Sequence, residues 1–226
     1  MGGTGKSSLR ATPRLAREIE RPTRSLSLAK MLGDEALFFR TWATNPLRLG
    51  AVSPSSRALA RLMVEHARPD PESFSLELGP GTGVATQALI DYGVPPEHIV
   101  AVEHNGDFCR LLQKRFPRLN VVHGDAFDLD KSLASLDGVR FSAALSGVPL
   151  LSFPKRLRLK CIDGVLDRML PGKVLVQFSY GLYPAVEPVA GRIAVNKSKW
   201  VMLNLPPARA WIYRRPESTT TPHSRL

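Results

Sequence analysis

Between residues 77 and 83 the chain reads Glu-Leu-Gly-Pro-Gly-Thr-Gly, an acid followed by glycines at alternate positions. Glycine lets a backbone approach a ligand closely and take angles closed to other residues. Two further acids follow in step. Glu103 comes directly after the apolar run 98–102, where a carboxylate can accept both ribose hydroxyls of a nucleoside. Asp125, in His123-Gly124-Asp125-Ala126-Phe127, follows the run 119–123, where a carboxylate can accept a hydrogen bond from an adenine amino group. Val84 stands where the dinucleotide fingerprint needs its last glycine, so the loop suits a ligand without a pyrophosphate.

Convergence of these acids requires that they leave the same edge of one sheet. From residue 73 onward the pattern supplies that arrangement. Apolar runs at 74–78, 98–102, 119–123, 140–146 and 173–179 read as strands, separated by helical stretches near 84–92, 107–116, 131–136 and 155–170. Such alternation implies right-handed crossovers and a parallel sheet. Two more strands, 199–205 and 209–214, flank Pro206-Pro207-Ala208 as a terminal hairpin. The expected fold is α/β: a Rossmann-like, doubly wound, mostly parallel seven-stranded sheet with an antiparallel terminal hairpin strand, preceded by an N-terminal amphipathic helix.

That helix is expected over 27–43, with Leu28, Met31, Leu32, Ala36, Phe38, Phe39 and Trp42 on one arc. A second helix, 54–67, turns Leu59, Leu62 and Met63 to its apolar side. The chain carries 31 Lys+Arg against 20 Asp+Glu, a net charge of +11. Residues 1–30 hold seven basic and two acidic residues and 192–226 hold seven and one, while 31–191 are balanced. A neutral body with two basic ends calls for an anionic partner, either nucleic acid or a membrane surface. Apolar runs are too short for a spanning helix. Cys109 and Cys161 are too few and too far apart for a disulfide framework, and no metal cluster is expected.

Glu-x-Gly-x-Gly-x-Gly, an acid after the second strand and Gly-Asp-Ala after the third resemble the binding motifs of the class I S-adenosylmethionine-dependent methyltransferases. The resemblance covers residues 54–214. It implies that Gly79, Gly81 and Gly83 wrap the methionine part of the cofactor and that Glu77 orients its amino group. Glu103 would take the ribose, Asp125 and the Ala126 amide would read adenine, His104 would lie against the adenine face, and Ser146 would line the site. S-adenosylhomocysteine would be the product.

Within that class, Phe39, Trp42, Pro46, Gly50-Ala51-Val52, Pro54-Ser55 and Ser146-Gly147-Val148-Pro149-Leu150 are similar to the bacterial phospholipid N-methyltransferases. These are related to the rRNA adenine dimethyltransferases, whose Asn-Leu/Ile-Pro-Tyr/Phe loop holds a flipped base. Here Ser or Gly replaces the Asn and Leu150 the aromatic, and about a dozen residues follow the last strand, too few for their C-terminal RNA-binding domain. The resemblance thus implies methylation of phosphatidylethanolamine and its mono- and dimethyl forms toward phosphatidylcholine, by a cytoplasmic protein peripheral to the inner face of the membrane. An rRNA adenine methyltransferase and a soluble small-amine methyltransferase are the alternatives. Oligomeric state is not readable. Tyr180, Ser146 and Pro149 are the candidates beside the acceptor amine. The expected organisation is a basic tail (1–26), an amphipathic helix and linker (27–53), the catalytic domain (54–215) and a flexible tail (216–226). Lys30, Met31, Leu32, Phe38, Phe39 and Trp42 are the expected membrane contacts. Each basic residue near an anionic surface contributes about 1 kcal/mol, and each buried CH₂ about 0.8. Deleting residues 1–42 should therefore abolish sedimentation with anionic liposomes.

Overall fold

The computed structural model describes residue 1 and residues 57–202, 204 and 207–216. The expected N-terminal tail, amphipathic helix and linker, with Lys30, Met31, Leu32, Phe38, Phe39 and Trp42, lie outside the described residues, as do residues 217–226.

Seven strands form one sheet: β1 (Ser75–Leu78), β2 (Ile99–Glu103), β3 (Asn120–His123), β4 (Ala143–Ser146), β5 (Leu175–Ser179), β6 (Ala194–Lys197) and β7 (Arg209–Arg214). Their order is β3-β2-β1-β4-β5-β7-β6. The first five run parallel, and β7 pairs antiparallel with both β5 and β6. The helices α1 (Arg57–Ala67), α2 (Val84–Tyr92), α3 (Gly106–Arg115), α4 (Leu129–Ser132) and α5 (Lys155–Leu166) cover the sheet.

Both faces are buried, which is why the strands read as nearly continuous apolar runs. The pleat sends alternate residues to opposite sides. Ile99, Ala101, Ala143, Leu145, Val176 and Phe178 join one core with α1, α2 and α3. Leu76, Leu78, Val100, Val102, Ala144 and Leu175 join another with α4 and α5. In α1, Leu59, Ala60, Met63, Val64 and Ala67 recur at helical spacing and are all buried. Asn105 starts α3 by accepting the N–H groups of Asp107 (2.8 Å) and Phe108 (3.2 Å) on Oδ1.

The sheet follows expectation except at its far edge. The predicted strand 199–205 is instead β6 at Ala194–Lys197, paired in register with Arg214–Trp211. Beyond Lys197 the ladder continues through Ser198 N–H to the Ala210 carbonyl (2.9 Å), then resumes as a bridge between Val201 and Ala208. Lys199 and Trp200 fall between these contacts, so a run that looks like a strand is divided by an irregular step. Smaller corrections concern helices. The stretch predicted at 131–136 is α4 plus a 3₁₀ turn at Ala134–Leu136, and the one predicted at 155–170 ends at Leu166.

The link from β5 to β6 is anchored by Tyr213. Its buried hydroxyl accepts the N–H of Ala185 (3.0 Å) and, more weakly, that of Val186 (3.5 Å). Tyr213→Phe leaves the buried Ala185 N–H without this acceptor, a loss of about 1–3 kcal/mol. Urea unfolding should show a lower midpoint with an unchanged slope.

Candidate functional site

The carboxyl ends of the parallel strands bring the predicted residues together. Glu77 lies in β1 and is 1% exposed. Its Oε2 accepts the Thr86 hydroxyl at 2.7 Å, while Oε1 is buried with no hydrogen-bond partner among the described residues. Burial pushes the carboxyl up to about 7; the Thr86 bonds oppose this, and nearby Glu103 adds to it. The strand thus delivers an acid half satisfied by its own fold.

Gly79, Gly81 and Gly83 follow, all with positive φ, so the loop takes a curl that other residues rarely adopt. Glu103, at the end of β2, is 7% exposed and pins this curl: Oε2 accepts Gly81 N–H at 3.0 Å and Oε1 accepts Asn105 N–H at 2.8 Å. Each oxygen retains a second lone pair for a ligand hydroxyl.

Asp125 follows β3 and is exposed. Its Oδ1 accepts Phe127 N–H at 2.8 Å, and its backbone N–H and carbonyl both bond Ser132 Oγ, at 2.8 and 3.0 Å. Oδ2 has no hydrogen bond to the described residues, and the neighbouring Ala126 is buried. His104 is exposed, and its carbonyl accepts the His123 Nε2–H at 3.0 Å.

The loop after β4 closes against the glycine curl. Gly147 N–H donates to the Leu78 carbonyl at 2.8 Å, and a Cβ on Gly147 would lie 2.6 Å from the Gly79 carbonyl oxygen. Only glycine permits that approach. Ser146 is buried and its Oγ accepts Val148 N–H at 3.3 Å; Pro149 is half-buried. Tyr180 packs in the α1-side core, with its ring edge-on to Phe178 at 5.7 Å. It is 8% exposed, the position of a packing tyrosine more than of a freely presented one.

Four residues absent from the sequence reading hold this arrangement: Thr86, Asn105, Ser132 and Gln177. Gln177, buried in β5 opposite Ser146, donates Nε2–H to the Val148 carbonyl at 3.2 Å, and its buried Oε1 has no partner among the described residues. A glutamine inside Leu-Val-Gln-Phe-Ser is the signal that could have found it, since buried polar residues are the informative exceptions. Cys161 is buried and its thiol is pushed up to about 12 by burial, that of an inert core residue. No group suited to a metal ion occurs among the described residues.

Comparison with known proteins bears on this geometry. The ribosomal RNA adenine dimethylase family matches residues 55–145. An ornithine lipid N-methyltransferase from Singulisphaera acidiphila is 30% identical over 186 residues, covering 80% of this chain and 96% of that protein. The chain belongs to the S-adenosylmethionine-dependent methyltransferases. The ribosomal RNA small subunit methyltransferase A of Synechococcus sp. (strain JA-3-3Ab) is 56% identical over a shorter stretch of 56 residues. That stretch is 24% of this methyltransferase and 19% of the relative. Among solved structures, TrmN from Thermus thermophilus superposes with a TM-score of 0.57 at 16% identity, covering 73% of this chain and 50% of that one. The last likeness bears on the fold alone.

S-adenosylmethionine is the cofactor of this methyltransferase, and the residues present fit it. Glu77 Oε1 is a buried acceptor lacking a donor, of the kind an ammonium group supplies. The glycine curl is held in left-handed conformations that side chains rarely adopt, as a loop following a bound ligand closely requires. Glu103 and Asp125 keep acceptor capacity at the ends of the next two strands.

Glu77 also makes the ligand-free protein sensitive to pH. Its folded value, about 7, lies above the ordinary 4.5. Between those values the fold retains a proton that the unfolded chain has lost. The stability from this group is therefore complete below about pH 4.5 and lost as pH rises through about 7, on the order of 3 kcal/mol in all. Thermal midpoints of the ligand-free parent should decline over that window, and those of Glu77→Gln should lack that decline.

Proposed function

We propose that this methyltransferase N-methylates an amine-bearing membrane phospholipid, converting phosphatidylethanolamine stepwise toward phosphatidylcholine on the inner face of the cytoplasmic membrane. The observation that carries this reading is the similarity to a lipid N-methyltransferase over 96% of that relative's length. The loop Ser146-Gly147-Val148-Pro149-Leu150 supports it, because neither the amide side chain nor the aromatic ring of the base-holding loop is present.

In this reading Glu77 accepts the cofactor's ammonium on its unpaired oxygen, and the Gly79–Gly83 curl surrounds the methionine portion. Glu103 accepts the ribose hydroxyls, Asp125 Oδ2 and the Ala126 N–H take the adenine edge, and His104 borders its face. When bound, S-adenosylmethionine supplies an electrophilic methyl group, so the acceptor amine needs only to be neutral and aligned. Ser146 Oγ and the Val148 and Pro149 carbonyls supply acceptors that orient an amine without the charge that would stabilise it as ammonium. Gln177 fixes the Val148 carbonyl, and positioning of this kind can contribute much of the rate. Residues 54–215 form the catalytic domain, and residues 27–53 with their basic lead carry it to the bilayer.

Two other acceptors have specific support: the ornithine lipid named for the relative, and rRNA adenine, from the family matched over residues 55–145. Incubation with methyl-labelled cofactor should give labelled mono-, di- and trimethylated product from phosphatidylethanolamine vesicles. Label in deproteinised rRNA with none in lipid would overturn the reading. Label confined to ornithine lipid would retain a lipid amine as substrate and replace the headgroup.

A further inference from the structure

The basic C-terminal region is divided by the sheet into two populations with different fates. At the amino edge of the parallel strands, Arg192 and Arg215 converge on Asp163 of α5. Arg192 makes two bonds to its carboxylate (3.2 and 2.6 Å), and Arg215 makes one (2.9 Å). Arg215 also reaches Asp167 at 2.5 Å. Asp163 is 7% exposed, so these cations serve the fold.

The opposite edge is different. β6 ends at Lys197, and β7 begins at Arg209, which sits opposite Ser179 at the carboxyl end of β5. The tip of this hairpin therefore projects from the edge that holds Gly79, Glu103 and Gly147. Lys197 and Lys199 are exposed and make no ion pair among the described residues. Arg209 stacks on Trp200 at 4.2 Å, with Trp211 at 5.5 Å, and likewise has no acidic partner there.

Exposed apolar side chains gather at the same edge. Met202, at the hairpin tip, is 72% exposed; Leu182 and Tyr183, just beyond β5, are 55% and 61% exposed. The turn that carries them lies against the loop following β4, since a Cβ on Gly181 would meet Leu151 Cδ1 at 2.8 Å. The other strongly exposed large apolar residues in the described body, Tyr92 and Leu111, sit singly on α2 and α3. Scattered residues of that sort are ordinary, whereas several beside unpaired cations on the ligand edge are not.

We propose that the hairpin tip and the turn after β5 form a membrane-facing rim, which docks the ligand edge of the sheet onto a bilayer bearing anionic phospholipid. Met202 and Leu182 enter the headgroup layer while Lys197, Lys199 and Arg209 face phosphates. Trp200 and Arg209 together present an aromatic ring and a cation at one level, a pairing suited to the interface. Docking here turns the edge that holds Gly79, Glu103 and Gly147 toward the lipid surface. Stable attachment generally takes two weak signals, and this rim is the second beside the N-terminal segment. The inference deepens the lipid reading and rests on it for the choice of partner.

The test uses the full-length protein and sedimentation with phosphatidylcholine vesicles with or without phosphatidylglycerol. Leu182→Glu/Met202→Glu and Lys197→Glu/Lys199→Glu should each weaken partitioning onto the anionic vesicles by roughly tenfold or more. Cofactor affinity and thermal midpoint should stay at parental values, since none of the four residues belongs to the cofactor site. Met202→Leu and Lys199→Arg should bind vesicles like the parent, and so should Tyr92→Glu, away from the rim. Parental vesicle binding by both altered rims would overturn the proposal. So would a loss of affinity for an rRNA transcript with vesicle binding intact, which would make the rim a nucleic-acid surface. Failure of the lipid reading is recognised separately, by absence of label in phosphatidylethanolamine dispersed in detergent micelles, where no bilayer is needed.

Discussion

The backbone ladder of the sheet runs one residue past the ends of its strands, and the functional loops hang from those extra bonds. Gly79 N–H donates to the Val102 carbonyl at 2.9 Å, Gly147 N–H to that of Leu78 at 2.8 Å, and Gly124 N–H to that of Glu103 at 3.0 Å. Each loop therefore starts from a point set by the register of neighbouring strands. In that register Leu78 lies opposite both Val102 and Ser146. A slip of one residue would turn Glu77 to the other core and separate the glycines from the carbonyls that receive them. The site is consequently as precise as the sheet beneath it.

Electrostatics is arranged around the same edge. Glu77 is kept half satisfied, Glu103 is held at both oxygens by backbone N–H groups, and Asp125 is left at the surface. This gradient, from a buried acid to a solvated one, matches a ligand that carries a cation at one end and a neutral, flat group at the other. Low polarity around Glu77 strengthens attraction to a cation and makes its ionised form costly when no cation faces it.

Much of this was legible in the residues. Glu77, Glu103 and Asp125 announce themselves because each stands at or beyond the end of an apolar run, and the glycines between them leave little else for the loop to be. The supporting hydrogen bonds were less accessible. Thr86 reaches Glu77 from a helix nine residues on, and Gln177 reaches Val148 from a neighbouring strand, contacts that arise only once the chain is folded. The misplaced strand has a similar origin. Lys-Trp-Val-Met-Leu is strongly strand-like in isolation, but pairing with β7 favours the more polar Ala-Val-Asn-Lys, and Trp200 is diverted onto Arg209. Local preference yielded to register.

Among the described strands the outermost, β3 and β6, are each only four residues long, and their sequences, Asn-Val-Val-His and Ala-Val-Asn-Lys, place polar or charged groups along the edges that no other described strand pairs. Short, polar borders of this kind make poor templates for another chain to add a strand. Together with a strong positive charge, they favour molecules that remain dispersed in water rather than stacking edge to edge. Such borders leave less risk of self-association to the molecule as a whole, whatever apolar side chains it exposes elsewhere.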